Sequence, residues 1–338
     1  MKAVRYYGPN QPLRLEEIPK PTISPGEVLV KINAAAICHT DLHFISGLLN
    51  LGVAPITLGH EMAGTVEQVG SGVERSLEGA RVAVYYYSGC QNCHYCRHGM
   101  ENLCPNIKAE NGFITDGGYA EYIKIPARNA VPLPEQISFQ TAAPIGCSLA
   151  TAVHAGNLVQ LKQGDNVVVY GVGGVGYSVI QLAHLSGANV IAVGRTPAKL
   201  NKAKELGAQH IINASTESVV DEVRRVTGGH GADVIFELVG TRESMENSVK
   251  FLAKQGKLAF IGYSQDSFVV HPISLVINEA HVIGSVSNTL DELYQAVKLV
   301  ADGKVKIIID SVLKLSQFSE GLKSISDGTA VGKIVLVP

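Results

Sequence analysis

The sequence predicts an α/β protein in two parts: a β-rich region drawn from both ends of the chain, and a doubly wound parallel-sheet domain between them. Three observations carry this reading. Up to about residue 145 the chain holds short apolar runs broken by Pro and Gly. From about Asp165, short apolar runs alternate with helical stretches, the pattern of βαβ units on a parallel sheet. The last stretch, ending in Lys333-Ile-Val-Leu-Val337, returns to the texture of the first region.

Taken in order, Pro19, Pro21, Pro25 and Gly26 interrupt the chain before a strand at Val28 to Ile32. Ala63 to Val69 and Arg81 to Tyr87 read as further strands. Asn166 to Tyr170 is a buried strand that runs into a glycine-rich turn and a helix to about Ser186. Asn189 to Val193 is the next strand and Pro197 to Leu206 the next helix. His210 to Ile212, Asp233 to Glu237, Lys257 to Gly262 and His281 to Val286 continue the alternation, and Leu290 to Ala301 is helical. No internal repeat or low-complexity segment is visible.

Composition excludes several classes. The 338 residues suggest two domains. With 46% hydrophobic and 17% charged residues the chain can build sizeable cores. A formal net charge of -2 with scattered Lys and Arg argues against nucleic acid as a partner. The N-terminal stretch MKAVRYYGPNQPLRLEE has no apolar signal core, and no apolar run approaches a membrane span. A cytoplasmic protein with reduced thiols is the expectation, so clustered cysteines point to metal before disulfides.

The cluster is GCQNCHYCRHGMENLC, which places Cys90, Cys93, Cys96 and Cys104 in the spacing Cys-x2-Cys-x2-Cys-x7-Cys. Four thiolates can enclose one zinc and leave no position for substrate, which makes such a site structural. An iron–sulfur cluster is the chemical competitor, but the spacing matches neither ferredoxin pattern closely. Cys38, His60 and Cys147 are individually weak signals. Together they offer two thiolates and an imidazole, the ligand set of a catalytic zinc with an open fourth position.

The turn after Tyr170 reads Gly171-x-Gly173-x-x-Gly176 between a strand and a helix, a dinucleotide-binding fingerprint in that context. Gly171, Gly173, Gly174, Val175 and Gly176 are its candidate cofactor residues. Gly171 makes the turn, Gly173 lets the pyrophosphate approach, and Gly176 permits close helix packing. An NAD-binding domain of this kind usually carries an acid at the end of its second strand. Here that position is Gly194, followed by Arg195 and Thr196, with Lys199 one turn on. Glycine there removes a carboxylate that would repel a 2′-phosphate and leaves room for it, and the nearby guanidinium suits phosphate, so NADP(H) is favoured over NAD(H).

Gly59-His60-Glu61 with Gly64, Val66, Gly70 and Gly72, the four-cysteine lobe and the glycine-rich turn together resemble the zinc-dependent alcohol dehydrogenases of the medium-chain dehydrogenase/reductase superfamily. The resemblance covers essentially the whole chain. It implies a GroES-like catalytic domain of residues 1–147 and 287–338, with a structural-zinc lobe at about 88–108, and a Rossmann domain of residues 148–286. The active site would lie in the cleft between them. It implies two zincs per chain: a catalytic one on Cys38, His60 and Cys147 with Glu61 as a nearby carboxylate, and a structural one on the four-cysteine lobe. Asp41 would orient the His60 imidazole, Thr40 would hydrogen-bond the alcohol oxygen, and His43 would pass its proton to solvent. His39 would lie near the cofactor pyrophosphate and Thr151 near the nicotinamide. Leu48, Tyr86, Ile114 and Val286 are candidate pocket walls.

The implied activity is reversible hydride transfer between an alcohol and a nicotinamide cofactor, with an alcohol, aldehyde or ketone as substrate. The resemblance also implies a homotetramer or homodimer. The competing readings are an enoyl-type (C=C) reductase and a non-catalytic dinucleotide-binding protein. Neither has a use for Cys38, His60, Glu61, Cys147 and the Thr40–His43 pair together.

Overall fold

The computed structural model describes residues 1–338. The chain divides into two compact units. One comprises Met1–Ala150, Asn288–Gly303 and Ile307–Pro338, and the other Thr151–Ser287 with Lys304–Lys306. The inserted unit thus begins three residues later than the 148 given by the sequence, and it draws in three residues from beyond its C-terminal end. Gln181 explains the latter, because its side chain donates to the Lys306 carbonyl at 3.0 Å and accepts from the Lys306 N–H at 2.8 Å.

The first unit is built on a seven-stranded sheet. Along its main path run Ala130–Pro132, Arg81–Val84, Glu61–Val69, Glu27–Ala36, Lys333–Val337 and Ile309–Lys314, while Tyr122–Pro126 pairs with Glu27–Ala36 off this path. The central strand Glu27–Ala36 is rich in Val, Ile, Leu and Ala and is mostly buried, with Lys31 exposed. Its end sets the register that matters for function. Ala36 pairs with Glu61 on one side and with Val335 on the other, both antiparallel. Arg81 to Tyr87 is not one strand as the apolar run suggests. Arg81–Val84 ends where Tyr85 to Tyr87 turn away, and Tyr87–Ser88 forms a separate ribbon with Ala109–Glu110.

The second unit holds a six-stranded, all-parallel sheet in the order His210–Asn213, Asn189–Gly194, Asn166–Tyr170, Ala232–Glu237, Leu252–Phe260, His281–Gly284. Numbered along this unit the order is 3-2-1-4-5-6, the doubly wound arrangement, in which ligands bind beyond the strand ends where the order reverses. Ile191, Val193, Val168, Ile235 and Leu258 fill its core, and Val219, Val223 and Phe251 pack onto it. The helices Gly174–Leu185, Pro197–Glu205, Val219–Val226 and Arg242–Lys250 follow the first four strands in turn. No helix is long and apolar enough to cross a membrane.

Candidate metal centres and cofactor turn

The candidate catalytic donor set gathers in the first unit at two strand ends and one 3₁₀ turn. Cys38 follows the strand Glu27–Ala36 and stands immediately before the helix His39–Ser46. Its N–H donates to Asp41 Oδ2 at 2.9 Å, which fixes the first turn. His60 immediately precedes the strand Glu61–Val69. Cys147 leaves the short 3₁₀ turn Ala143–Gly146. The ligand atoms of Cys38, His60, Glu61 and Cys147 all lie within 4.8 Å of one another. Gly59 is required where it stands. Its φ is +92°, and a Cβ there would come 2.6 Å from the Tyr119 ring.

The electrostatics are those of a cation site. A hydrogen bond from Cys147, then the Lys333 and His60 charges, hold the Cys38 thiol well below its ordinary range, against the effect of burial. The same bond and burial push the Cys147 thiol up. Burial opposes a charged His60, but the Cys38 thiolate beside it outweighs burial and lifts the imidazole to about 9. Burial lifts Glu61 to about 8 despite the Lys333 ammonium. Glu61 Oε2 is buried with no hydrogen-bond partner. Such an orphaned acceptor is costly unless a cation meets it. Two thiols, an imidazole and an orphaned carboxylate oxygen therefore fit a bound zinc.

The other cluster fits a closed site. The four sulfurs of Cys90, Cys93, Cys96 and Cys104 also lie within 4.8 Å of one another. Cys90 and Cys96 are 4.0 Å apart, and Cys93 and Cys104 are 3.9 Å apart. These separations far exceed a disulfide bond of about 2.05 Å. They match the edge of about 3.8 Å that a zinc–sulfur tetrahedron with bonds of about 2.3 Å requires. Backbone N–H groups already point at sulfur: Cys93 at Cys90 Sγ (3.4 Å), Cys96 at Cys93 Sγ (3.4 Å) and Cys90 at Cys104 Sγ (3.3 Å). Backbone donors, from Asn92 first and then Cys93, bring the Cys90 thiol down to about 6. Glu101, buried, supports the lobe by accepting from Gln91 Nε2 at 3.2 Å and pairing with Arg128.

Around the catalytic set, Thr40 Oγ1 lies 3.5 Å from Cys38 Sγ. His43 and His39 stack edge to face at 5.2 Å, with His39 exposed and His43 half-buried. Burial, and secondarily the His39 charge, lower the His43 pKa. Asp41 is buried and accepts from Tyr119 Oη at 2.5 Å as well as from Cys38. It acts on His60 through charge.

Three residues here were not legible in the sequence. Tyr119 holds Asp41 and fills the space over Gly59. Lys333 donates to Glu61 Oε1 at 2.5 Å. Phe113 packs on the His60 ring, with centroids 4.8 Å apart, and stacks on Tyr86 at 5.7 Å. A lone aromatic or lysine carries no periodic or spacing signal that could have singled it out.

The glycine-rich turn has the form its sequence predicts. Gly171 has φ +114°, and a Cβ on Gly176 would sit 2.1 Å from the Gly171 carbonyl oxygen. A Cβ on Gly173 would meet nothing within 4 Å. That open space, at the N-terminus of the helix Gly174–Leu185, fits a pyrophosphate. Gly174 and Val175 begin this helix, and Thr151 is buried in the helix Ser148–Val159.

The expected role of Gly194 needs correction. It does not leave room: a Cβ there would come 2.5 Å from Val172 Cγ2 and 3.3 Å from Leu200 Cδ2. Packing alone therefore accounts for the missing acid. Arg195 is exposed, while Thr196 and Lys199 are half-buried.

A 3-2-1-4-5-6 parallel sheet with this turn, joined in one chain to an open and a closed zinc donor set, defines a zinc- and dinucleotide-binding dehydrogenase. The comparisons agree. Residues 24–135 match the alcohol dehydrogenase GroES-like domain and residues 174–302 match the zinc-binding dehydrogenase family. A protein of Sulfurisphaera tokodaii described as an NAD-dependent alcohol dehydrogenase is 37% identical, with both chains covered in full. The crystal structure of the alcohol dehydrogenase from Aeropyrum pernix superposes over 100% of both chains with a TM-score of 0.95 and 32% identity. A chain from Sinorhizobium meliloti 1021 solved bound to NADP is 30% identical, covers 100% of this chain and 99% of its own, and has a TM-score of 0.91. The chain belongs to the zinc-dependent alcohol dehydrogenases of the medium-chain dehydrogenase/reductase superfamily.

Proposed function

We infer that the protein catalyses reversible hydride transfer between an alcohol and a nicotinamide cofactor, oxidising the alcohol to an aldehyde or ketone and reducing the carbonyl in reverse. The observation that carries this reading is the convergence of Cys38, His60 and Cys147, with an orphaned Glu61 oxygen, at one buried point. An enoyl-type reductase has no use for that cluster. Zinc held there supplies a Lewis acid that makes an alcohol hydroxyl acidic near neutral pH.

The chain's own residues then handle the proton. Thr40, beside Cys38, is placed to accept it from the substrate hydroxyl while passing its own proton on. His43, kept neutral to lower pH by burial, is the acceptor one helical turn away. The test is a panel of alcohols and carbonyls with purified protein, followed by absorbance of the reduced nicotinamide. Activity should appear, and Thr40→Ala should lower kcat by about a hundredfold, the usual scale of positioned proton transfer. His43→Ala should be milder, because water can replace the ring, and its deficit should grow as pH falls, where alkoxide formation is hardest. Near-full activity of Thr40→Ala across the pH range would refute the relay.

The finer point is the cofactor. A preference for NADP(H) is supported by the absence of a carboxylate at 194 and by the exposed Arg195 beside it. The packing of Gly194 against Val172 weakens the first support, and the relative described as NAD-dependent weighs against the preference. The proposal therefore rests on Arg195. A hydrogen bond to a charged group contributes about 1.5–3 kcal/mol, or roughly tenfold to a hundredfold in kcat/KM. Arg195→Ala should lose that factor with NADPH and little with NADH. Equal values for the two cofactors in the unmodified protein, or a preference for NADH, would retire the NADP(H) reading.

A further inference from the structure

Glu61 and Lys333 form an ion pair inside the catalytic donor cluster that the ligand set by itself does not call for. Glu61 is 0% and Lys333 7% exposed. Lys333 Nζ holds Oε1 at 2.5 Å, Oε2 has no partner, and His60 Nε2 is 4.0 Å from Oε1. The carboxylate thus lies among the sulfurs and imidazole of Cys38, Cys147 and His60, close enough to serve as one more ligand. The placement is set by the backbone. Glu61 opens the strand on one side of Glu27–Ala36 and Lys333 opens the strand on the other, with Ala36 as the shared register point.

Charge separates the two states open to Glu61. Two thiolates neutralise a divalent cation, and a neutral imidazole adds nothing. A carboxylate alone beside them leaves a surplus negative charge in a buried site, and that surplus draws the carboxylate onto the cation. The Lys333 ammonium cancels the surplus with Glu61 still outside the coordination shell. Its attraction to the thiolates and its repulsion from the cation oppose each other, so its main effect falls on Glu61.

We propose that Lys333 is a positioning residue that holds Glu61 off the metal bound by Cys38, His60 and Cys147, and so keeps the fourth coordination position open to substrate. The inference rests on the catalytic-metal reading above.

The experiment uses the full chain with its zinc counted by elemental analysis. Lys333→Met, Lys333→Arg and the neutral pair Glu61→Gln with Lys333→Met are compared in two readouts. One is the rate of zinc loss from the catalytic site to EDTA. The other is the change in the visible spectrum of the protein with cobalt(II) in that site when imidazole is added. In Lys333→Met the carboxylate should close on the metal. Zinc loss should slow by about tenfold, the scale on which groups around metal ligands act, and imidazole should no longer shift the cobalt spectrum. Lys333→Arg and the neutral pair should both behave like the unmodified protein.

A lysine with only a structural role gives the opposite result: faster zinc loss and a lower Tm in Lys333→Met, whether or not the neutral pair restores them. That result, or unchanged release with an unchanged imidazole response, overturns the proposal. If Lys333→Met fails to fold, the same two readouts are taken on Lys333→Gln, and the proposal stands only if zinc loss slows and the imidazole response is lost there. A zinc count that Cys38→Ser does not change would instead remove the catalytic-metal reading, leaving the two failures distinguishable.

Discussion

Cys38→Ser should lower kcat/KM for alcohol oxidation by roughly a thousandfold or more while moving Tm by no more than a few degrees. The two halves of this expectation have separate causes. The thiolate would be one of three ligands at a site whose cation would supply several kcal/mol of transition-state stabilisation, and each 1.36 kcal/mol is about tenfold in rate. The local fold, by contrast, does not depend on the sulfur. The first turn is fixed by the Cys38 N–H on Asp41 and by the Tyr119 hydroxyl on the same carboxylate. Serine is also a favoured residue before a helix. Elemental analysis should show the zinc count falling from two to one per chain. A variant that kept two zincs, or more than about a tenth of the activity, would contradict the ligand assignment.

Cys93→Ser should do the reverse: a Tm lowered by about 10 °C or more, with turnover per folded molecule largely kept. The lobe has little else to hold it. Tyr95 and Leu103 within it are 40% and 43% exposed, so burial contributes little between the cysteines. The N–H groups aimed at sulfur favour thiolates that repel one another unless a cation sits among them. For a chain of 338 residues a shift of that size corresponds to about 7 kcal/mol, which lies within the binding free energy of a structural zinc. Serine can replace Cys93 as the N-cap of His94–Arg97 but is a poor zinc ligand beside three thiolates. Calorimetry with zinc analysis decides the matter. A Tm unchanged after loss of one zinc would show that the lobe stands without its metal.

Much of the site was legible from the chain alone, for a simple reason. The four lobe cysteines lie within fifteen residues of sequence, and local spacing fixes their mutual distance whatever the rest of the chain does. The glycine-rich turn is likewise local, since its three glycines answer to one strand, one turn and one helix. Cys38, His60 and Cys147 are far apart in sequence. Only their residue types and the family resemblance point to a shared site.

The strand register was not legible. Lys333 reaches Glu61 across 272 residues, and Tyr119 reaches Asp41 across 78, through pairings that periodicity cannot specify. The expectation for Gly194 fails for the same reason: the space that a missing acid implies for a phosphate belongs to Val172, in the turn after the neighbouring strand. The sequence by itself therefore determined which atoms can bind metal and where a dinucleotide turn must form, because both depend on short-range spacing. Only the tertiary structure decided which charges and rings surround those atoms, because Glu61 and Lys333 meet through the two strands that flank Ala36, and a slip of one residue in either pairing would turn the side chain to the opposite face.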